Sequence, residues 1–411
     1  MFLVYTIVWL IATPILRVTA LFSKKMKLFV NGRKTVWSTL DKKLNPEKET
    51  YWFHAASLGE FEQGLPIMEE IKKQQPETQI LVSFFSPSGY EVRKEHPITD
   101  AVVYLSLDTV SNAKRFIKKV QPKKVFFIKY EFWPNYLNQL KKQNIDTYLI
   151  SGIFREKQLF FKWYGGFYRK ALTAFNHFFV QNESSLSLLK QLKFTNVTLA
   201  GDTRFDRVAT ILEQNNTLNF IDTFKDNKKT IVIGSSWPKD EDVLIDYINT
   251  CTLDVKFIIA PHNIKANEIL ALHQKIIKKT VLFSEKENID LAHFDVFIID
   301  TIGLLTKIYA YADIAYVGGG FGNPGVHNLL EPATFGVPII IGPNYSHFAE
   351  ATSLVKEGGC IAIHSKSEVE TIFNHLLNNP KEQMEKGEIC AKFVQNNKGA
   401  TTTILNYLNQ N

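Results

Sequence analysis

Short apolar runs alternate with amphipathic stretches along most of the chain, and this alternation constrains the fold more than any other feature. The run Gln79–Phe85 suits one buried strand, whereas Val110–Val120 has its apolar residues at helical spacing. Strands that alternate with helices pair in parallel, because each helix crosses a face of the sheet. The alternation stops in the polar, Asn-rich stretch Glu213–Lys229 and then resumes. The pattern therefore predicts two doubly wound, Rossmann-like α/β domains that join at about residue 210.

The segment before the first predicted strand indicates a membrane anchor. Phe2–Phe22 carries Arg17 as its only charge and is long enough to cross a hydrocarbon core of about 30 Å. Basic residues follow this segment and none precede it, which leaves the rest of the chain in the cytoplasm. A cleaved signal peptide is the alternative, although such peptides carry their positive charge ahead of the apolar region. Pro14 and Arg17 leave open a helix that lies in the membrane interface. We expect the anchor to supply proximity to the bilayer rather than chemistry.

Charge and cysteine content limit the classes of binding partner and the cellular compartment that suit this chain. Lys and Arg number 48 against 41 Asp and Glu, an excess that suits a phosphate or an acidic membrane surface but is too small to indicate nucleic acid. The three cysteines are far apart, so neither a disulfide framework nor a cysteine zinc site is indicated. We expect the anchor at 1–23, the first domain at 24–210 and the second at 211–411, with the option that the last helix returns to the first domain.

Ligands of open α/β sheets bind beyond the carboxyl ends of the strands, so the polar residues there are the first candidates for chemistry. After the first predicted strand, Ser57 and Glu60 have the S-x-x-E spacing of a capping box, in which both side chains satisfy backbone donors. Alternatively, Glu60 is a general base or binds a polar ligand, with Gly59 permitting a close approach. The spacing alone leaves both interpretations open.

Two further strand ends of the first domain carry candidate residues. Ser86, Ser88 and Gly89 offer hydroxyl and N–H groups at a helix start, which suits an anion or a sugar, although turns of this composition are common. Glu131 and Trp133 follow another strand, where a helix entrance with Trp133 buried is the simpler interpretation and the role of Glu131 stays open.

Candidate phosphate contacts lie where the chain passes from the first domain to the second. Arg204 is placed to reach a phosphate there, although a solvated arginine is the default expectation. Ser235 and Ser236 end the first strand of the second domain and precede a helix. Backbone amides at such a helix start can hold a phosphate, because the helix dipole favours negative charge there.

A glycine-rich loop follows a later strand of the second domain. Gly318, Gly319 and Gly320 open this loop, and a helix that carries Asn328 and Glu331 is expected to begin near His327. The loop formally matches G-x-G-x-x-G, but it lacks the acidic residue that a dinucleotide site needs about 20 residues later. It still suits a phosphate and a sugar. Glu331 is either an acceptor for two ribose hydroxyls or a carboxylate that is simply favoured near a helix N-terminus.

These elements, in this order, resemble the GT-B glycosyltransferases and more closely the bacterial Kdo transferases, which build the inner core of lipopolysaccharide with 3-deoxy-D-manno-octulosonic acid (Kdo). The segments that carry the resemblance cover the chain from end to end. They are Gly32-Arg33 after the apolar segment, HAASLGE at 54–60, SPSG at 86–89, EFWPN at 131–135, GDTRFD at 201–206, GSSW at 234–237, APH at 260–262, DTIG at 300–303, and GGGFGNPGVHNLLEPATFGVPIIIGP at 318–343.

The resemblance implies metal-independent, inverting transfer of Kdo from CMP-Kdo to a lipid A precursor at the cytoplasmic face of the bacterial inner membrane, without a cofactor. It implies that Glu60 is the general base, and that the first domain binds the acceptor through Ser86, Ser88, Gly89 and Glu131. The donor-binding residues it implies are Arg204, Ser235, Ser236, Pro261, His262, Gly318, Gly319, Gly320, Asn328 and Glu331.

Some positions depart from the family pattern. Pro261-His262-Asn263 replaces Pro-Arg-His, Ser151-Gly152-Ile153 replaces Asn-Ala-Arg, and Arg204 replaces a lysine, which keeps the charge but changes the donor geometry. Two alternative functions remain open: another GT-B enzyme that uses a UDP-sugar and a lipid acceptor, and a two-domain binding protein without catalysis, for which we would expect an export signal.

Overall fold

The computed structural model describes residues 2–410, so Met1 and Asn411, the outer ends of the predicted domains, lie outside the described residues. The chain divides into two compact units. The first unit comprises the chain up to Arg207 together with the segment from Lys398 onward, and the second unit is Val208–Asn397. Each unit is a parallel β-sheet covered by helices, so the predicted pair of doubly wound α/β domains is confirmed.

The described part of the first unit contains seven parallel strands in the order β3-β2-β1-β4-β5-β6-β7. The strands are β1 (Thr50–Ala55), β2 (Gln79–Phe84), β3 (Ala101–Tyr104), β4 (Lys124–Ile128), β5 (Asp146–Gly152), β6 (His177–Val180) and β7 (Val197–Leu199). The helices are α1 (Phe2–Phe22), α2 (Lys24–Gly32), α3 (Val36–Lys43), α4 (Leu58–Gln74), α5 (Pro87–Arg93), α6 (Val110–Val120), α7 (Pro134–Lys142), α8 (Gly166–Leu172), α9 (Glu183–Gln191) and α10 (Thr203–Ala209).

Both faces of the first sheet are buried. Successive strand side chains point to opposite faces, so Trp52 packs in one core layer and Phe53 in the other. Because both faces are covered, the strands are nearly continuous apolar runs rather than alternating ones. The carboxyl ends of β1, β2 and β4 therefore meet at one edge of this sheet, which is where the sequence places Glu60 and its neighbours.

The second unit lies wholly within the described residues, and its seven parallel strands have the order β10-β11-β9-β8-β12-β13-β14. The strands are β8 (Lys229–Ser236), β9 (Val255–Pro261), β10 (Thr280–Leu282), β11 (Val296–Ile298), β12 (Ile314–Val317), β13 (Ile339–Ile341) and β14 (Cys360–Ala362). The helices are α11 (Asn219–Lys225), α12 (Pro238–Thr250), α13 (Ala266–Lys275), α14 (Leu305–Ile308), α15 (Leu330–Thr334), α16 (Ala349–Glu357), α17 (Lys366–Asn378) and α18 (Pro380–Asn397).

The last helix, α19 (Ala400–Gln410), belongs to the first unit. Its residues Ile404 and Leu405 are buried in the same core layer as Phe53. The carboxylate of Asp206 accepts hydrogen bonds from the backbone N–H groups of Gly399 and Thr401 at 2.6 and 2.8 Å, which satisfies donors at the start of α19. This acidic residue of the GDTRFD segment therefore holds the end of the chain on the first unit.

Helix α1 contacts the globular part of the first unit. The Tyr5 hydroxyl donates a 2.7 Å hydrogen bond to the buried carboxylate of Asp108, and the ring centroids of Trp9 and Trp133 are 6.0 Å apart. Among the described residues, Val4–Phe22 is the stretch long and apolar enough to cross a membrane, and it makes α1 a candidate anchor. Helix α1 also packs beside the segment that carries Glu131, and the expectation that it supplies proximity rather than chemistry stays a prediction.

Candidate functional site

The first turn of α4 places Glu60 at the carboxyl end of β1. Its side chain is buried, with 4% of the residue exposed. The carboxylate accepts the backbone N–H of Ala56 and is also hydrogen-bonded by the backbone of Ser57. The Ser57 hydroxyl, in contrast, makes no capping bond. Half of the predicted capping box is therefore present: Glu60 caps the backbone, and Ser57 does not reciprocate.

Burial and a second carboxylate make Glu60 a weaker acid than usual. Burial is the main cause that raises the pKa of Glu60 to about 7, and the negative charge of Glu131 adds to it. The Ala56 and Ser57 backbone bonds and the charge of Lys129 act in the opposite direction. A carboxyl group with a pKa near 7 exchanges its proton readily at neutral pH, which is the property that a general base requires.

Glu131 follows β4 and is held by aromatic and imidazole groups. Its Oε2 atom lies 3.0 Å from Nε1 of Trp133 and 3.4 Å from Nε2 of His54. The indole Nε1 also lies 2.9 Å from His54 Nε2, and His54 Nδ1 lies 3.1 Å from the Ser83 carbonyl oxygen. The fully buried His54 therefore contacts both Trp133 and Glu131 and helps to fix their positions.

Two residues at the carboxyl ends of central strands have left-handed backbone conformations. Lys129, directly after β4, has φ 68°, and Ser151, near the end of β5, has φ 49°. Such conformations are uncommon for residues other than glycine and occur often at functional sites. The backbone of Lys129 bonds to Ile150 and Ile153, which fixes its position near Glu60. The sequence analysis did not single out Lys129; a cation directly after a buried strand and two residues before Glu131 was the signal available.

The SPSG segment starts α5 beside the Glu60 turn. Ser86 caps this helix, because its hydroxyl accepts the N–H of Ser88 at 3.3 Å. A Cβ atom on Gly89 would lie 2.3 Å from the ring of Phe84 and 3.0 Å from the carbonyl carbon of Ser57. Glycine is therefore needed at position 89 for close packing against the connection that leads to Glu60.

Arg204 belongs to the first unit and forms an ion pair there. Its Nε and NH2 atoms each lie 2.8 Å from one oxygen of Asp202, and its side chain is 32% exposed. The other oxygen of Asp202 accepts the Arg204 backbone N–H and the Gln63 amide. Asp202 therefore fixes the orientation of a guanidinium that remains partly exposed to solvent.

In the second unit, the end of β8 packs directly on the glycine-rich loop. Ser235 has φ 53°, and a Cβ atom on Gly318 would lie 2.3 Å from its carbonyl oxygen. Gly320 approaches Gly342 in the same way, with 2.6 Å from a Cβ at position 320 to the Gly342 nitrogen. The Ser236 hydroxyl donates to Glu241 at 3.0 Å. The glycines thus allow close backbone packing that a side chain would prevent.

Asp240 organises this loop, and the sequence analysis did not identify it. Its carboxylate is fully buried and accepts hydrogen bonds from the Tyr316 hydroxyl and the Gly319 N–H, both at 2.8 Å. It also accepts the backbone N–H groups of Trp237, at 3.0 Å, and Phe321, at 3.3 Å. Asp240 therefore ties the glycine-rich loop to the start of α12. Its place in the first turn of a predicted helix was the only available signal.

Three rings stack beyond the strand ends of the second unit. The ring centroids of Trp237 and His262 are 4.4 Å apart, as are those of His262 and His327, and the planes are within 29°. The Trp237 indole donates to His327 Nε2 at 2.7 Å. Burial lowers the pKa of His262, and burial together with His262 lowers that of His327 to about 4. Both imidazoles are therefore neutral at physiological pH. Pro261, which ends β9, places His262 in this stack.

Glu331 is held by two neighbouring polar side chains. Its Oε2 atom accepts the Thr306 hydroxyl at 2.7 Å, and its Oε1 atom accepts the Asn328 amide at 2.9 Å. The Asn328 carbonyl in turn accepts the Leu330 N–H at 3.1 Å. Helix α15 consequently begins at Leu330 rather than near His327, and Glu331 lies in its first turn. A carboxylate oxygen can accept more than one hydrogen bond, so Glu331 keeps acceptor capacity for hydroxyl groups.

Sequence comparisons relate the chain to one family of enzymes. A family model described as 3-deoxy-D-manno-octulosonic-acid transferase (kdotransferase) matches residues 32–207. The 3-deoxy-D-manno-octulosonic acid transferase of Aquifex aeolicus is 29% identical over 344 residues, which cover 82% of this chain and 88% of that one. The enzyme of the same name from Rickettsia bellii is 28% identical over 358 residues, 84% of each chain. These alignments extend through both units.

Solved structures that match the chain across both units show the fold. UDP-GlcNAc 2-epimerase from Neisseria meningitidis has a TM-score of 0.61 and 15% identity, and the match covers 89% of this chain and all of that one. MurG from Acinetobacter baumannii has a TM-score of 0.53 and 12% identity, with coverage of 89% and 100%. At these identities the likeness concerns the fold alone, which is GT-B as predicted.

Proposed function

We propose that this chain, which is a glycosyltransferase of the Kdo transferase family, transfers Kdo from CMP-Kdo to a lipid A precursor with Glu60 as its general base. The observation that carries the base assignment is a buried carboxyl group with a pKa of about 7 at the carboxyl end of β1. Ligands of open α/β sheets bind at this edge, so the group lies where a substrate is expected.

In the proposed reaction, a sugar hydroxyl of the acceptor attacks the anomeric carbon of Kdo. The bond from that carbon to the CMP phosphate oxygen breaks, and its electron pair leaves with CMP, while the hydroxyl proton passes to Glu60. Attack opposite the leaving group inverts the anomeric centre. A hydroxyl is a poor nucleophile at neutral pH, and a positioned base contributes about 10²- to 10⁴-fold. We propose this transfer to be independent of metal ions.

The acceptor side of the proposal rests on residues at the Glu60 edge of the first sheet. Ser86 and Ser88 present hydroxyls at the start of α5, and Gly89 brings that start against the Glu60 turn. Glu131 is held in place by Trp133 and His54. A Kdo transferase acts on a lipid acceptor, and α1, with the basic residues after it, supports a location at the cytoplasmic face of the inner membrane.

The donor side of the proposal rests on three features of the second unit. The start of α12 suits a phosphate because a helix N-terminus favours negative charge, and the glycine-rich loop packs beside it through the bonds of Gly319 and Phe321 to Asp240. The neutral Trp237–His262–His327 stack offers flat surfaces for a base, and Glu331 offers acceptor oxygens for ribose hydroxyls. Arg204 adds a phosphate-binding cation in the first unit, oriented by Asp202.

The direct test is incubation of the purified chain with CMP-Kdo and a tetraacyl lipid A precursor, followed by mass spectrometry of the lipid. We expect lipid that has gained Kdo, and none with the common UDP-sugars in place of CMP-Kdo. Transfer from a UDP-sugar alone would overturn the donor assignment in favour of another GT-B activity. The absence of transfer from every donor, with CMP or UDP still bound in thermal-shift assays, would favour the binding protein without catalysis.

Glu331→Ala tests the donor side separately. Because a hydrogen bond to a charged group is worth about 1.5–3 kcal/mol, CMP affinity should fall by about ten- to a hundredfold. Isothermal calorimetry on the folded variant measures this. The control is Glu385→Ala on α18, an exposed residue with only a 4.0 Å ion pair, which should bind CMP as the wild type does. Wild-type CMP affinity in Glu331→Ala would remove Glu331 from the site.

A further inference from the structure

Two cations lie at the edge of the first sheet that carries Glu60, and the proposed reaction gives them no role. Lys129 follows β4 directly, and its charge acts on the carboxyl group of Glu60. The Lys129 Nζ atom lies 5.3 Å from the ring centroid of Tyr130, and the Arg155 Cζ atom lies 5.9 Å from the same centroid. We call Lys129, Tyr130 and Arg155 the basic cluster.

The basic cluster is accessible to a ligand. Tyr130 is 39% exposed, and Arg155 is also exposed. Among the described residues, no carboxylate pairs with the Arg155 guanidinium, which contacts the Tyr130 ring. Its positive charge is therefore available to an anion that approaches this edge of the sheet.

The backbone holds Lys129 at this edge in an unfavourable conformation. Its φ angle of 68° is in the left-handed region, where glycine is more stable than a lysine. Its N–H group donates to the Ile150 carbonyl at 2.9 Å, and its own carbonyl accepts the Ile153 N–H at 3.3 Å. Strained residues of this kind cluster at ligand sites. The conformation therefore suggests that the lysine side chain has a function here.

The sugar that the proposed reaction transfers brings an anion to the same place. Kdo is a 2-ulosonic acid, so its anomeric carbon carries a carboxylate directly. The attacking hydroxyl lies about 3 Å from its base and about 3–3.5 Å from that carbon. The sugar carboxylate, one bond further, therefore comes close to Glu60 and to the charge of Glu131. Like charges repel at such distances, so a nearby cation is needed to offset the repulsion.

We propose that Lys129 binds the carboxylate of the sugar acid while its anomeric carbon reacts beside Glu60, with Arg155 adding to the positive charge around Tyr130. This inference rests on the proposed function and adds a residue of the first unit that recognises the donor. An acceptor phosphate is also an anion, but only the sugar carboxylate is bonded to the reacting carbon. Lys129 would then distinguish a sugar acid from a neutral sugar.

The test compares the steady-state kinetics of the purified full chain with those of Lys129→Gln. CMP-Kdo and a tetraacyl lipid A precursor are varied separately at pH 9, well above the Glu60 pKa of about 7. We expect the KM for CMP-Kdo to rise by about ten- to a hundredfold, as for the loss of a hydrogen bond to a charged group, and kcat to change by less than about threefold. The inhibition constant of CMP, which lacks the sugar carboxylate, should stay at the wild-type value.

Two matched variants serve as controls. Lys129→Arg keeps the charge and should hold the KM for CMP-Kdo within about fivefold of the wild type. Lys142→Gln removes an exposed cation at the last position of α7 and should show wild-type kinetics. Neither change at position 129 introduces a β-branched side chain, so the left-handed backbone is tolerated equally in both variants.

Each other outcome contradicts the proposal in a different way. A higher KM for the lipid precursor alone would mean that Lys129 contacts an acceptor phosphate. A lower kcat with both KM values unchanged would leave Lys129 as a counter-ion of Glu60, and unchanged kinetics would remove it from the site. No Kdo transfer by the wild type would contradict the proposed function itself, whereas transfer with an unchanged KM for CMP-Kdo in Lys129→Gln would contradict this inference alone.

Discussion

Glu60 and Asp240 occupy the same position in the two units, and their surroundings differ. Each is the third residue of the helix that follows the first strand of its unit, α4 after β1 and α12 after β8. Each side chain is almost fully buried. Asp240 receives four described donors, which include the N–H groups of Gly319 and Phe321. Glu60 receives the backbone donors of Ala56 and Ser57 and faces the charge of Glu131.

The number of donors distinguishes the structural role of Asp240 from the role proposed for Glu60. Hydrogen bonds to a carboxylate stabilise its charged form, and burial or a like charge destabilises it. Asp240 uses its acceptor oxygens to hold the glycine-rich loop, which makes it a structural carboxylate. Glu60 keeps a pKa of about 7 because burial and Glu131 outweigh its two backbone bonds. A shared position in two similar units therefore does not imply a shared role, and variants at both positions can test this contrast.

The largest effect is expected for turnover in Glu60→Gln. Glutamine keeps the shape and one acceptor oxygen but cannot take a proton, so turnover should fall by about 10²- to 10⁴-fold. Mass spectrometry of the lipid product measures the rate, and calorimetry checks that CMP still binds. The control is Glu70→Gln on the same helix, which disturbs only a 3.5 Å surface pair with Lys73. A rate within a few fold of wild type in Glu60→Gln would leave Glu60 as a helix cap only.

The next effect is on stability in Asp240→Ala. Removing this carboxylate leaves buried donors unsatisfied, so the free energy of unfolding should fall by about 3–5 kcal/mol. Urea denaturation of the second unit, followed by circular dichroism, measures the loss. Asp242→Ala on the same helix breaks only the exposed pair with Lys275 and should cost at most about 1 kcal/mol. Similar costs for the two variants would contradict the structural role of Asp240.

Substitution of Glu60, unlike that of Asp240, should raise the free energy of unfolding at high pH. The pKa of Glu60 is about 7 in the folded chain and near 4.5 in the unfolded chain. Between these values the folded chain keeps a proton that the unfolded chain has released, so the stability of the wild type falls as pH rises from about 4.5 to about 7. Glu60→Gln lacks this loss. It should exceed the wild type by about 3 kcal/mol at pH 8 and match it near pH 4, as measured by urea titrations. Equal pH dependence of the two chains would contradict the raised pKa.

The smallest effect concerns the influence of Glu131 on Glu60. Because the charge of Glu131 raises the pKa of Glu60, Glu131→Gln should lower that pKa and move the acid limb of the pH–rate profile to lower pH. Rates measured from pH 5 to 9 give the pH at the midpoint of the acid limb. This midpoint is compared between Glu131→Gln and the wild type, whatever their absolute rates. A midpoint that stays at the wild-type pH would mean that burial alone sets the pKa of Glu60.

The fold was predictable from the sequence because strand and helix periods are local properties. The alternation indicated both sheets, and the rule that ligands bind at strand ends located Glu60 and Glu331. The role of Asp240 was not predictable, because Tyr316, Gly319 and Phe321 lie about 80 residues away along the chain. The electrostatic effect of Lys129 on Glu60 likewise arises only when the strand ends come together.

The stack of Trp237, His262 and His327 is a second contact that the sequence pattern could not predict. His262 was identified by resemblance, but its partners Trp237 and His327 were not, since three separate strand ends bring these rings together. The start of α15 was predicted too early, because the Asn328 side chain stops the preceding residues from joining the helix. Local pattern thus locates candidate residues, and long-range packing decides what each one does.

Helix α1 is fixed to the rest of the first unit at two points. These are the hydrogen bond between Tyr5 and Asp108 and the contact between Trp9 and Trp133. A flexible tether would leave the edge of the sheet that carries Glu60 free to move through a wide range of distances from the bilayer. The two contacts of α1 with the first unit remove this freedom. If α1 enters the bilayer, the edge that carries Glu60 is held at one height and one orientation over the lipid surface, and we expect it to reach lipids whose sugars extend to that height.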